Sequence, residues 1–198
     1  MLMSTNARQM KEIIFVGRSN VGKSTLIKSL TGKKLKIGKR PGVTRKPLQI
    51  PYKNFQITDM PGFGFMRGIS DESIDAIKNN IVHYIENNAE NIVFAVMVVN
   101  ATSFAQIVDR WAGRNEIPVE VELFEFLHEL NIDVIVAANK IDKVEDVNTT
   151  LDGIAERLGM MPPWKQWIDV IVPVSAKKGE ISGLKKLIQV RLDDERKE

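Results

Sequence analysis

Four nearly unbroken apolar runs recur along the chain, at residues 13–16, 92–99, 134–138 and 170–174. Continuous runs of this length, unlike alternating ones, are what strands buried on both faces require. Between them the apolar positions change to helical spacing. Ile74, Ile77, Ile81 and Ile85 form one stripe, entered after Ser70-Asp71, which can cap a helix. Leu123, Phe124, Leu127 and Leu130 form a second, entered after Pro118, and Ile181, Leu184, Leu187 and Ile188 a third that carries the chain to its C-terminus. Strand and helix alternating in this way predict an α/β domain, a mostly parallel sheet with helices on both faces. The weaker stretch 48–59 reads as a hairpin that adds one antiparallel edge strand, making six strands in all. No repeat or low-complexity linker interrupts the pattern, so residues 11–198 read as a single domain behind a short tail, residues 1–10.

Composition narrows the chemistry. Of 198 residues, 43% are apolar and 27% charged, an ordinary globular balance. The absence of cysteine excludes a disulfide framework, a thiolate metal site, an iron–sulfur cluster and a thiol nucleophile. His83 and His128 are the only histidines, too few for a histidine-built metal site, and both fall in helical segments with no role indicated. The longest apolar run is far short of a membrane span, and the first residues lack a signal-peptide core, so a soluble, cytoplasmic, monomeric protein is expected. The net charge is only +3, yet residues 32–47 hold Lys33, Lys34, Lys36, Lys39, Arg40, Arg45 and Lys46 with no acidic residue, leaving the remainder acidic. Such a block suits an anionic partner, and a solvated loop is the plain alternative.

Gly17-Arg18-Ser19-Asn20-Val21-Gly22-Lys23-Ser24 has the spacing G-x-x-x-x-G-K-[ST], directly after the first apolar run and opening a helix with Thr25 and Leu26. Glycines let successive backbone N–H groups curl around phosphate oxygens, and the helix N-terminus adds its positive end. Lys23 is placed to reach the β- and γ-phosphates, and Ser24 to bind Mg²⁺. Asp59-Met60-Pro61-Gly62 closes the hairpin strand. There Asp59 can hold Mg²⁺ through water, and the Gly62 N–H can sense a γ-phosphate. Thr44, within Gly42-Val43-Thr44 of the basic loop, is a candidate second Mg²⁺ ligand. Asn139-Lys140-Ile141-Asp142 follows the run 134–138, at the carboxyl edge where ligands of α/β sheets bind. The Asp142 carboxylate can accept from guanine N1–H and N2–H₂, a donor pair that adenine lacks. The Lys140 stem can lie over the base. Ser175-Ala176-Lys177, after the last strand, can offer a backbone N–H to guanine O6. The expected ligands are GTP or GDP with Mg²⁺.

These motifs in this order, and the narrower spellings GRSNVGKSTL, KRPGVTR and DMPGFGF, resemble the EngB (YihA/YsxC) family of ribosome-associated GTPases, in the translation-factor-like class. The likeness spans residues 11–192. It implies a Ras-like P-loop fold, slow GTP hydrolysis, a role in large ribosomal subunit assembly and, in bacteria, in normal cell division and septation. It also implies that Gly17 to Thr25 bind phosphates, that Ser24 and Thr44 hold Mg²⁺, and that Asn139, Lys140 and Asp142 read the base. Ribosomal RNA is then the anion expected at the basic loop 33–46.

Two features depart from the family pattern. Asn100-Ala101-Thr102 stands where an Asp-x-Arg stretch is usual, and the following connection is some ten residues longer than typical. In it Phe104, Ile107, Val108 and Trp111 fall at helical spacing, as core packing demands. Phe63 occupies the place where signalling GTPases carry a water-orienting Gln, so hydrolysis should be slow. The segment Phe63-Gly64-Phe65 reads either as a hydrophobic shield or as an exposed contact surface. Asn20 matches the asparagine that coordinates K⁺ in related cation-activated GTPases, with a loop brace as the alternative. A P-loop nucleotide kinase is disfavoured by Asn139 to Asp142, and a prenylated signalling GTPase by the absence of cysteine.

Overall fold

A computed structural model describes residues 10–33, 46–63 and 71–196. The sheet has six strands in the order β2-β3-β1-β4-β5-β6. These are β1 (Glu12–Val16), β2 (Leu48–Tyr52), β3 (Phe55–Asp59), β4 (Ile92–Asn100), β5 (Asp133–Asn139) and β6 (Ile171–Val174). All neighbours are parallel except the β2–β3 hairpin, as the apolar pattern predicts. The helices are α1 (Lys23–Thr31), α2 (Asp71–Asn88), α3 (Phe104–Ala112), α4 (Val119–Glu129), α5 (Val147–Arg157) and α6 (Ser182–Asp194).

Alternation along β1 divides the core. Ile13 and Phe15 face α1 and α6, while Ile14 and Val16 face the layer that holds α2, α3, α4 and α5. Phe104 and Val108 of α3 are buried in that second layer, so the longer connection contributes to the core. Helix α5 has no counterpart in the sequence reading. Its amphipathic set Leu151, Ile154 and Ala155 is short, and its start is fixed locally by Asp146, whose carboxylate accepts from the Thr149 N–H at 3.1 Å.

Two polar features shape the sheet. Glu12, the first residue of β1, is buried and accepts hydrogen bonds from Thr58 at 2.5 Å and Tyr84 at 2.9 Å, tying α2 to the strands. On the edge strand, Pro51 pairs with Gln56, whose own N–H turns toward β1 and donates to Lys11 O. The Pro51 backbone therefore faces outward, where its carbonyl accepts from Lys33 Nζ at 2.8 Å. Among the described residues no helix is long and apolar enough to cross a membrane.

Candidate functional site

The carboxyl ends of β1, β3, β5 and β6 open on one side of the sheet and carry the four motifs. The phosphate loop leaves β1 through Gly17, whose φ of +139° and position against β4 exclude a side chain. A Cβ there would lie 2.3 Å from Val98 O. Asn20 is exposed and itself left-handed at φ +66°. Gly22, at φ +104°, lets Asn139 come close, since a Cβ would meet its Nδ2 at 2.3 Å. Helix α1 then starts at Lys23, with Thr25 half-buried in its first turn.

Lys23, Ser24 and Asp59 converge because β1 and β3 are paired in register, Phe15 beside Asp59. Lys23 is 7% exposed and donates to Gly17 O at 3.3 Å. Burial pushes its pKa down, and the Asp59 charge works against that shift. The Ser24 hydroxyl donates to Asp59 Oδ2 at 2.6 Å. Asp59 is 1% exposed, and burial raises its carboxyl above the ordinary range while Lys23 and Ser24 oppose the rise. Its Oδ1 is buried with no hydrogen-bond partner among the described residues. A hydroxyl and a carboxylate with a spare oxygen, at the mouth of a phosphate loop, are the hard donors Mg²⁺ prefers, so the set fits that ion.

Met60 and Pro61 are buried, and the Met60 N–H donates to Phe15 O at 3.0 Å. Gly62 packs on the phosphate loop so tightly that a Cβ would fall 2.7 Å from Ser19 Oγ. Ser19 Oγ donates to Gly62 O at 3.3 Å and the Ser19 N–H to Phe63 O at 3.0 Å. Of the segment Phe63-Gly64-Phe65, only Phe63 lies within the described residues. The residue is 2% exposed, lining a groove with Ile81, Leu123 and Phe126. Gly42, Val43, Thr44 and Phe65, and all of the basic loop except Lys33 and Lys46, lie outside the described residues.

On the base side, Asn139 is committed to the protein. Its Nδ2 donates to Val21 O at 2.7 Å and its Oδ1 accepts the Ala176 N–H at 3.0 Å. It therefore braces the phosphate loop against the Ser175-Ala176-Lys177 turn, and of the backbone N–H groups in that turn the Ala176 amide is engaged by Asn139. Lys140, at φ +66°, sends its Nζ to Asn20 O at 3.0 Å, a second tie between the two motifs. Ile141, half-buried, opens a short 3-10 turn. Asp142 accepts from Ser175 Oγ at 2.7 Å, and this bond is the main cause that holds its carboxyl below the ordinary range. Asp142 thus stays an acceptor, as a guanine reader must.

One residue beside the site escaped the sequence reading. Glu120, in the first turn of α4, is 3% exposed and faces Arg18 of the phosphate loop. An acidic residue at a helix start reads as a solvated partner of the dipole, and only tertiary packing reveals it as buried.

Residues 12–140 match the model of a family described as 50S ribosome-binding GTPases. Over 185 residues the chain is 53% identical to a probable GTP-binding protein EngB of Methanosarcina barkeri, covering 92% of this chain and 88% of that protein. A crystal structure of a probable GTP-binding protein EngB superposes with a TM-score of 0.81 at 49% identity, covering 92% of this chain and 97% of the other. A crystal structure of Era in complex with MgGDPNP and nucleotides 1506–1542 of 16S ribosomal RNA superposes with a TM-score of 0.62 at 28% identity, covering 93% and 57%.

Proposed function

The chain belongs to the EngB family of GTP-hydrolysing P-loop proteins, and from that premise we propose that it is a Mg²⁺-dependent guanine-nucleotide switch acting in assembly of the large ribosomal subunit. The observation that carries the switch is that Asn139 and Lys140 tie the phosphate loop, with Lys23, Ser24 and Asp59 at its mouth, to the base-side segments that hold Asp142. In this reading the phosphate-loop amides and Lys23 hold the β- and γ-oxygens. Asp142 accepts from guanine N1–H and N2–H₂. Ser24, Asp59 through water and, in the triphosphate state, Thr44 would hold Mg²⁺. The ion would supply charge neutralisation at the phosphates. The Gly62 N–H senses the γ-phosphate, and its departure frees the segments that contact it. With the buried Phe63 in the position of a water-orienting Gln, hydrolysis is slow. A K⁺ ion at Asn20 would supply the missing transition-state charge.

The ribosomal part is supported by the description of the matching family and by the seven positive charges within residues 32–47. Two of those charges, Lys33 and Lys46, are exposed. Ribosomal RNA is the anion this loop suits. Cell division and septation are the further process to which the resemblance points.

Co-sedimentation with isolated large ribosomal subunits tests the reading. Binding should be stronger with a non-hydrolysable GTP analogue than with GDP. It should fall with salt at a log–log slope near −3, about four phosphate contacts. Replacing Lys36, Lys39 and Arg40 with Ala should weaken binding and flatten the slope while leaving GTP affinity unchanged. Subunit binding that ignores both nucleotide and salt would remove the ribosomal part and leave the nucleotide switch with another partner.

A further inference from the structure

Arg18 and Glu120 form an ion pair that phosphate binding alone does not call for. Arg18 Nε lies 2.7 Å from Glu120 Oε1, with side chains only 15% and 4% exposed. Arg18 Nε and Glu120 Oε2 nevertheless have no satisfied hydrogen bond among the described residues. Burial raises the Glu120 carboxyl above its usual range, with the Arg18 charge opposing. Buried pairs with unsatisfied atoms are poor sources of stability, and apolar residues of similar size usually fill such places at least as well. A pair retained under those conditions calls for another account.

The surroundings supply one. Arg18 is bridged through its backbone to Phe63, one residue beyond Gly62. Phe63 in turn lines the groove between α2 and α4, beside Leu123 and Phe126. Helix α4 therefore meets the nucleotide machinery twice, through Glu120 at the phosphate loop and through Leu123 and Phe126 at the γ-phosphate-sensing segment. Beside the ion pair lies a cavity of about 140 Å³, lined also by Asn20 and Lys140, so the packing there leaves room for a small displacement. A partner pressing on α4 would move Glu120, and the loop limb anchored by Arg18 would follow.

We propose that Glu120 is a positioning residue for the phosphate loop, and that the Arg18–Glu120 pair converts displacement of α4 into a change of guanine-nucleotide affinity. The proposal rests on the guanine-nucleotide reading above, so binding of fluorescent N-methylanthraniloyl GDP by the unaltered full chain is the first measurement. If that chain does not bind, the nucleotide reading itself fails.

Given binding, Glu120→Gln should weaken affinity roughly tenfold, mostly through faster release, a typical coupling magnitude. The paired change Arg18→Met with Glu120→Leu should restore or exceed the parent melting temperature while release stays fast. Glu120→Asp, which keeps a carboxylate facing an unaltered Arg18, should bring release back toward the parent rate, and a rescue that follows this charge is what a merely structural residue does not produce. The proposal is overturned if Glu120→Gln releases GDP at the parent rate. It is equally overturned if affinity and melting temperature fall together and recover together in the paired variant.

Discussion

The Ser24 hydroxyl donates to Asp59 at 2.6 Å, joining the first turn of α1 to the end of β3 across the mouth of the phosphate loop. The bond aligns both oxygens on one small volume, with Lys23 near enough for its charge to favour the ionised carboxylate. Two residues far apart in sequence are thereby held side by side as hard oxygen donors.

Ser24→Ala should abolish the benefit that Mg²⁺ gives to binding of a GTP analogue. In Mg²⁺ buffer the loss should be about 10–100-fold, the usual cost of disturbing a metal site, with little loss in excess chelator. Titrations in the two buffers check this. An equal loss in both would mean that Ser24 acts on the phosphates without the ion.

Asp142→Asn should shift preference from guanine to xanthine nucleotides, because the xanthine 2-oxygen needs a donor where guanine N2–H₂ needs an acceptor. Competition of GDP, XDP and ATP against a fluorescent GDP decides it. Retained guanine preference would show that the base is read elsewhere.

The Asp142 carboxyl is held below its ordinary range chiefly by Ser175. A depressed carboxyl favours the folded, ionised form above its unfolded pKa, and that contribution disappears as pH falls through the depressed value. GDP binding should therefore persist as the medium is acidified into the ordinary carboxylate range. Ser175→Ala should bring the acid loss of binding to higher pH. Identical acid limbs in parent and variant would mean that the hydrogen bond does not govern the ionisation.

Asn139→Ala should destabilise the chain even without nucleotide, since it strands the Val21 carbonyl and the Ala176 N–H, both buried beside it. At about 1–3 kcal/mol per stranded group, urea unfolding should show a loss of ~2–6 kcal/mol. A side chain that only contacted the base would leave the nucleotide-free midpoint in place.

Turnover without a partner should be slow, on the order of 10⁻³ s⁻¹ or below, as for unassisted GTPases. If Asn20 holds K⁺, exchanging K⁺ for Na⁺ lowers the rate and Asn20→Ala erases the difference. Equal rates in the two salts would leave Asn20 as a brace of the loop.

The strands and the nucleotide motifs were legible because they depend on local rules. β1, β4, β5 and β6 are continuous apolar runs, and Gly17, Gly22 and Lys23 announce themselves by spacing. What escaped reading depends on contacts made at long range. Glu12 looks like a surface residue at the start of a strand, and only Thr58 and Tyr84, from another strand and a helix, make it an interior one. Glu120 hides in the same way behind the ordinary acidity of a helix start. Asn139 was found by its motif, yet its two hydrogen bonds to the protein require the close packing that Gly22 permits.

The outer face of β2 sets a limit on how this molecule can meet others. At Pro51 the edge offers no N–H, and the carbonyl beside that gap is already taken by Lys33. A seventh strand, whether from a partner or a second copy, would forfeit ladder bonds toward the C-terminal end of β2. Recognition by extending the sheet past β2 is thus discouraged at the backbone level, and partners at this edge are directed to side-chain surfaces, where charge and shape can discriminate among them.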